Sequence, residues 1–126
     1  MKHATVGIMS LEAFKARTIA IAKGEYHPKP NEPKIWFSSI KSAASVLSEE
    51  NQALLKIIHE HNPESIAELE QLTGRKASNL SRTLTTLAHY HIVRMEKVTS
   101  KQNKKGRPRL KPVLEVESVS IDLHFA

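Results

Sequence analysis

The sequence predicts an α+β, mostly helical fold, on three observations. Apolar residues recur at helical spacing in three consecutive runs, 48–61, 65–72 and 77–90. Two alternating runs follow, over 92–99 and from 109 onward. Between them, 100–108 is basic and contains Gly106 and Pro108, as a hairpin tip would. A helical arm is expected in front of this body and an alternating strand behind it.

In chain order, Thr5–Met9 reads as a short strand or a loose end. Ser10 is placed to cap a helix running to about Lys23, with Glu12 near its positive end. Leu11, Phe14, Ile21 and Ala22 roughly share a face, and Gly24 ends the helix. Glu25–Lys34 holds Pro28, Pro30 and Pro33, each disfavouring helix in the residue before it, so an extended linker is expected. That places a boundary after residue 34: 1–34 forms an arm and Pro-rich linker that contacts a dimer mate or partner, and 35–126 forms the body. Ile35-Trp36-Phe37 reads as a strand plugging the body's core, or alternatively as a dimer contact, since aromatics are enriched in interface centres. Ser38 or Ser39 caps a short helix through about Val46, and Ser48 caps the next. Its inward stripe is Leu54, Ile57, Ile58 and His61, and Asn62-Pro63 ends it.

Ser65 with Glu68 three residues on forms a capping box. Ile66, Leu69 and Leu72 then repeat at helical spacing until Thr73-Gly74 stops the run. The next helix, about Ala77 to Tyr90, buries Leu80, Leu84, Leu87 and Ala88. At roughly 100° per residue, Ser78, Arg82, Thr85 and His89 fall opposite, flanked by Asn79, Ser81 and Thr86. This face has hydroxyls, an amide and one guanidinium but no acid, whereas an ordinary solvated face mixes Glu and Lys. Such groups hydrogen-bond base edges and phosphates. The bland alternative is a plain polar surface; the strands and basic tip that follow favour a recognition helix.

Ile92–Thr99 sets Val93, Met95 and Lys97 on one side, and the next strand begins near Arg109 and carries Val113. The tip, Lys104-Lys105-Gly106-Arg107-Pro108-Arg109, resembles an AT-hook core, narrow enough for a minor groove. Its bland alternative is a solvated tip meeting only phosphates or nothing. The C-terminus alternates through Leu114 and Val116, then Val119, Ile121, Leu123 and Phe125, with a change of phase expected at Glu117-Ser118. That strand should pair with the N-terminal region or with a second subunit.

The stretch TGRKASNLSRTLTTLAHYHIVRMEK resembles the recognition helix and first wing strand of winged helix-turn-helix regulators of the MarR-like kind. IWFSSIKSAASVLSEENQALLKIIHEH before it resembles a narrower group of small predicted bacterial regulators, suspected antitoxins encoded beside toxins of the TumE type. The wider resemblance spans Ser48 to about Val116. One departure is His91, where that family usually has Gly at the turn; His tolerates positive φ better than most residues.

Composition sets the bounds. At 126 residues the chain is one domain with room for an appended dimerisation segment. Lys and Arg number 19 against 13 acids, a net charge of +6 with a pI near 9.7, so a polyanionic partner is expected. The charge is uneven: 97–114 carries Lys97, Lys101, Lys104, Lys105, Arg107, Arg109 and Lys111 and no acid. The absence of cysteine excludes disulfides, a thiolate nucleophile and Cys-based zinc. No signal peptide or membrane span is evident, so a cytoplasmic protein without membrane association is expected. His59-Glu60-His61 and His89-Tyr90-His91 are both His-x-His, but residues two apart on a helix point about 200° from each other, so no metal site is expected. With a single Asp, Asp122, and no Gly-rich phosphate loop, neither catalysis nor a cofactor is expected.

These readings converge on a winged helix-turn-helix with an N-terminal helical arm and C-terminal strand. The function expected is a homodimeric, autoregulatory repressor that binds double-stranded DNA at a palindromic operator. Arg75, Lys76, Ser78, Asn79, Ser81, Arg82 and Thr85 would meet DNA from the recognition helix, and Lys101, Lys104, Lys105, Arg107 and Arg109 from the wing. Arg82 is the candidate for bidentate contact with guanine. Phe14, Trp36, Phe37, Ile121 and Leu123 are the candidates for a dimer or partner contact. The family resemblance adds an antitoxin role toward a toxin protein encoded nearby. The alternative is a protein-binding antitoxin or adaptor in which DNA binding is secondary or non-specific. A small-molecule-sensing repressor is a third class, for which the chain is short.

Overall fold

Short polar side chains set where most of the helices begin. In the computed structural model, which describes residues 2–98 and 109–125, Ser10, Ser39, Ser48 and Ser65 each accept a backbone N–H three residues on, at 3.0–3.2 Å. The described residues form β1 (Lys2–Ile8), α1 (Leu11–Ala22), β2 (Ile35–Phe37), α2 (Ile40–Val46), α3 (Glu49–His61), α4 (Ile66–Thr73), α5 (Ala77–His89), β3 (Val93–Val98), β4 (Arg109–Leu114) and β5 (Val116–Leu123). The fold is α+β. In the capping box, Ser65 Oγ accepts from Glu68 N, but the Glu68 carboxylate reaches back to the N–H of Glu64, one residue before the cap.

Two compact units form, and they do not divide at residue 34. A central unit spans Val46–Val116; a terminal unit combines Lys2–Ser45 with the stretch from Glu117 onward. The physical reason is strand pairing. In the terminal unit β2 lies parallel to β1, with Val6 opposite Ile35, Gly7 opposite Trp36 and Ile8 opposite Phe37. β5 lies on the other side of β1, giving the order β2-β1-β5. The aromatic strand therefore plugs the core of the terminal unit rather than that of the helical body.

Glu25–Lys34 is likewise a pinned loop rather than a free linker. Arg17 of α1 pairs with Glu32 at 3.0 Å, Tyr26 donates its hydroxyl to the same carboxylate, and the guanidinium lies over the rings of Tyr26 and Trp36 at 5.7 and 5.2 Å. Pro33 is buried beside them. Arg17, Glu32 and Pro33, with Phe14, Lys34 and Trp36, border a cleft of about 310 Å³. Trp36 also folds across β1: a Cβ on Gly7 would overlap its ring.

The central unit is built on one cluster: Leu54 and Ile58 of α3, Leu69 of α4, Leu80, Leu84 and Leu87 of α5, then Ile92 and Val93. Two residues assigned inward by periodicity are exposed, His61 at the last turn of α3 and Leu72 near the end of α4. Each lies in the last turn of its helix, so spacing alone overextends the stripe. Asn62 ends α3 at φ +47 and Gly74 ends α4 at φ +74. After α5, His91 stands at φ +60, with Ile92 N bonded to Leu87 O at 3.0 Å and His91 N to Ala88 O at 3.0 Å. That pair of bonds is a Schellman motif, and buried Ile92 and Leu87 supply its apolar contact.

β3 and β4 pair antiparallel from Val93 opposite Leu114 to Val98 opposite Arg109. Pro112 sits within β4, tolerated because a two-stranded sheet leaves one edge of each strand without a partner. Glu115 separates β4 from β5, yet Leu114 and Val116 on either side of it both pack against the central cluster; the chain passes to the terminal unit at Glu117. The chain leaves the β3–β4 sheet with a last bond from Glu115 N to Ile92 O at 2.9 Å.

Two outcomes follow from these local constraints. Gly7→Ala should force the Trp36 ring off β1 and destabilise by about 1–3 kcal/mol, as overpacking does; Trp36 is the sole tryptophan, so its emission should shift to the red before any unfolding. His91→Gly should raise stability by roughly 0.5–1 kcal/mol by removing a side chain from a left-handed position. A lower urea midpoint for that variant would show that the imidazole does something beyond tolerating the turn.

Candidate nucleic-acid interface

α5 owes its placement to its own two faces and to two polar braces. Leu80, Leu84 and Leu87 are buried, so the opposite face is directed outward. Lys76 precedes the helix without a side-chain cap; the first amide, Ala77 N, instead donates to Glu70 Oε2 of α4 at 2.6 Å. The second brace is Arg75. Its Nε donates to Asn79 Oδ1 at 2.8 Å, one terminal nitrogen to Asn51 Oδ1 of α3 at 3.2 Å, and the other to Thr83 Oγ1 at 2.9 Å. A planar fork matches three such acceptors, where a single ammonium would not.

Lys76, Ser78, Asn79, Ser81, Arg82 and Thr85 are all exposed, together with Thr86 and His89, and α5 itself has no acid. Thr85 and Thr86 return their hydroxyls to the carbonyls of Ser81 and Arg82 at 2.8 and 3.2 Å. Arg82 and Lys76 have no ion pair or side-chain hydrogen bond among the described residues. The structure thus brings together six of the seven residues assigned to this face. The seventh, Arg75, is half-buried and donates to three internal acceptors.

On the β3–β4 pair, Arg109 is exposed opposite Val98, where the described pairing ends. Lys101, Lys104, Lys105 and Arg107, with the hairpin tip itself, lie outside the described residues. Lys111 pairs with Glu64 at 3.4 Å. Arg94 is held by Glu115 at 2.9 Å and by Glu96, and these carboxylates, Glu115 foremost, raise the guanidinium above its ordinary pKa.

The candidate partner residues separate. Phe37 is 1% exposed and packs inside its own unit, so it offers no contact surface. Trp36 is half-buried under Arg17, with His124 edge-on at 5.1 Å. Phe14, Ile121 and Leu123 are exposed. His59, His61, His89 and His91 are exposed, and among the described residues no cluster of three or more His, Asp or Glu is placed to hold a metal.

Sequence reading missed Asn51, Glu70 and Thr83. Only the Arg75–Asn79 pair, four apart, carried a local signal. Arg75→Ala should lower stability by about 1.5–3 kcal/mol, the range for hydrogen bonds to a charged group, and Arg75→Lys should recover little of it. An unchanged denaturation midpoint alongside a loss of DNA affinity would return Arg75 to the phosphate-contacting set.

Among the described residues no helix is long and apolar enough to cross a membrane. No curated protein and no solved structure matches the chain. One family model, HVO_A0114, matches residues 46–121, which takes in the whole central unit and most of β5. By that match over more than half its length, the chain belongs to the HVO_A0114 family.

Proposed function

We propose that the central unit is a winged helix-turn-helix of the MarR-like kind and that the protein is a sequence-specific, homodimeric, autoregulatory DNA-binding repressor. The observation that carries this reading is the outward face of α5. It presents Ser78, Asn79, Ser81 and Arg82 with no acid on the helix, on a scaffold braced from α3 and α4. α4 and α5 are the helix-turn-helix, and α5 enters the major groove N-terminus first. Ser78, Asn79 and Arg82 approach base edges, while Lys76, Ser81 and Thr85 meet phosphate. The basic stretch of 101–109 adds contacts that neutralise phosphate and, through Arg107, favours a narrow minor groove.

Glu70 sets a limit on this picture. Its carboxylate occupies the first amide of α5, a position where a phosphate would otherwise be bound. Phosphate contacts are therefore assigned to side chains and to the basic stretch rather than to the helix end.

A second reading, an antitoxin that binds a toxin protein encoded nearby, is favoured by α1. None of its twelve residues is buried, although Leu11, Phe14 and Ile19 are large and apolar, so a partner's surface would find an apolar helix ready. Co-expression with the product of the adjacent gene should then yield a complex that Phe14→Asp abolishes; separate elution of the two chains would remove this reading.

The DNA-binding reading is tested by fluorescence anisotropy with duplexes that the protein itself selects from a random pool. Affinity should fall with salt at a log–log slope of roughly −0.9 per neutralised phosphate, and selected duplexes should bind about 10³-fold or more tighter than scrambled ones. Arg82→Ala should remove about 1–3 kcal/mol of that preference while leaving scrambled binding nearly intact. Equal binding to selected and scrambled duplexes would defeat the proposal of sequence-specific recognition.

A further inference from the structure

β5 pairs with β1 along one edge, and among the described residues no strand lies on the other. Its eight residues thus present a row of backbone donors and acceptors, a template for one more strand. Of the usual protections β5 has two charged side chains, Glu117 and Asp122, but neither Pro nor Lys. The other open edge of the sheet, β2, is only three residues long.

The two faces of β5 are sorted. Ser118 Oγ lies 2.7 Å from His3 Nδ1, Ser120 Oγ lies 3.0 Å from His3 Nε2, and His124 meets Trp36. The even-numbered residues therefore share one face, and Val119, Ile121 and Leu123 share the other. Ile121 is 52% exposed and Leu123 47%, with Phe125 beyond them at 93%.

We infer that a second copy of the chain occupies this edge, its β5 running antiparallel to the first about a two-fold axis at Ile121. Side chains select the register. Only an axis through a residue keeps like faces together; a half-step axis between Val119 and Ser120 sets apolar residues against serines and Glu117 against Asp122. Like charges placed opposite each other destabilise a strand pair. An axis through Asp122 opposes two carboxylates, and one through Ser120 sets Glu117 against Leu123. The axis through Ile121 pairs Ile121 with itself, Val119 with Leu123, and Ser120 with Asp122, and puts Glu117 opposite Phe125, beyond the end of β5. Apolar then meets apolar on one face, a hydroxyl meets a carboxylate on the other, and the two sheets become one. The interface is isologous. It deepens the homodimer clause of the proposed function and requires nothing of α5.

The chain has no cysteine, so engineered thiols report single sites. Oxidation of Ile121→Cys should give a covalent dimer on a non-reducing gel. A mixture of Val119→Cys and Leu123→Cys should cross-link, while either alone should not. In sedimentation the unmodified chain should run at twice its 14.1 kDa mass, and Ile121→Lys, which opposes two ammonium groups, should run at the single mass with its helical circular dichroism intact. A single-mass unmodified chain across the concentration series overturns both the interface and the homodimer clause. A dimer that survives Ile121→Lys and gives no mixed cross-link overturns the β5 register and leaves the homodimer standing. Failure of sequence-specific DNA binding is read separately by anisotropy and leaves the cross-links unchanged.

Discussion

The central unit depends on the burial of the leucine stripe of α5. Leu80, Leu84 and Leu87 are at most 1% exposed, packed with Leu54 and Ile58 of α3 and Leu69 of α4. Burying one such side chain fully is worth about 1.5–3 kcal/mol, whereas exposed ion pairs such as Lys56–Glu60 contribute roughly 0–1 kcal/mol each. The stripe therefore decides how α5 is rotated, and the rotation decides which residues face outward. The polar braces refine what the leucines fix. Glu70 satisfies the first amide of α5, Arg75 ties the turn to α3, and the Schellman turn at His91 sends the chain back into the same cluster through Ile92 and Val93.

The terminal unit answers to a different constraint, the close approach of Trp36 to β1. With no Cβ at Gly7, the indole lies against the strand and presents a surface to the Arg17 guanidinium. Arg17 then holds Glu32, and Glu32 holds Tyr26. A loop with three prolines is thereby fixed by one aromatic ring, one cation and one carboxylate rather than by a backbone ladder, which proline would interrupt.

How much of this was legible depends on the range of the interaction responsible. Helix starts and stops are local chemistry, so Ser10, Ser48, Ser65, Asn62 and Gly74 could be read directly from their neighbours. The positive φ at His91 could be read against the Gly usual in the resembling family. The outward residues of α5 were likewise legible, because helical period and three leucines fix them. The unit boundary was not. A parallel partner for β1 from residues 35–37 leaves no trace in a window of neighbours, whereas the alternation of the last strand did point to pairing with the N-terminal region or a second subunit. Phe37 looked like an interface residue because aromatics serve both cores and contacts, and only the β1–β2 register separates the two. The internal bonds of Arg75 were not legible as a set, because one acceptor, Asn51, lies 24 residues away.

The side chains chosen for the α5 face bear on how such a face could bind at all. Ordering a long Lys, Arg or Glu side chain costs about 1.5–2 kcal/mol of rotamer entropy, and a face of such residues would lose that at each contact. Ser78, Ser81, Thr85 and Thr86 are short. The two threonine hydroxyls already hold helix carbonyls, and Asn79 is oriented by Arg75. Among the described residues, Arg82 and Lys76 are the long side chains of this face that have no ion pair or side-chain hydrogen bond. A surface organised in this way concentrates its entropic loss in two cations, the groups whose charge returns most when they meet phosphate or guanine. The shorter side chains are preorganised by the same fold that buries the leucines, so on the proposed reading any discrimination by Arg82 rests on the packing of Leu80 and Leu84.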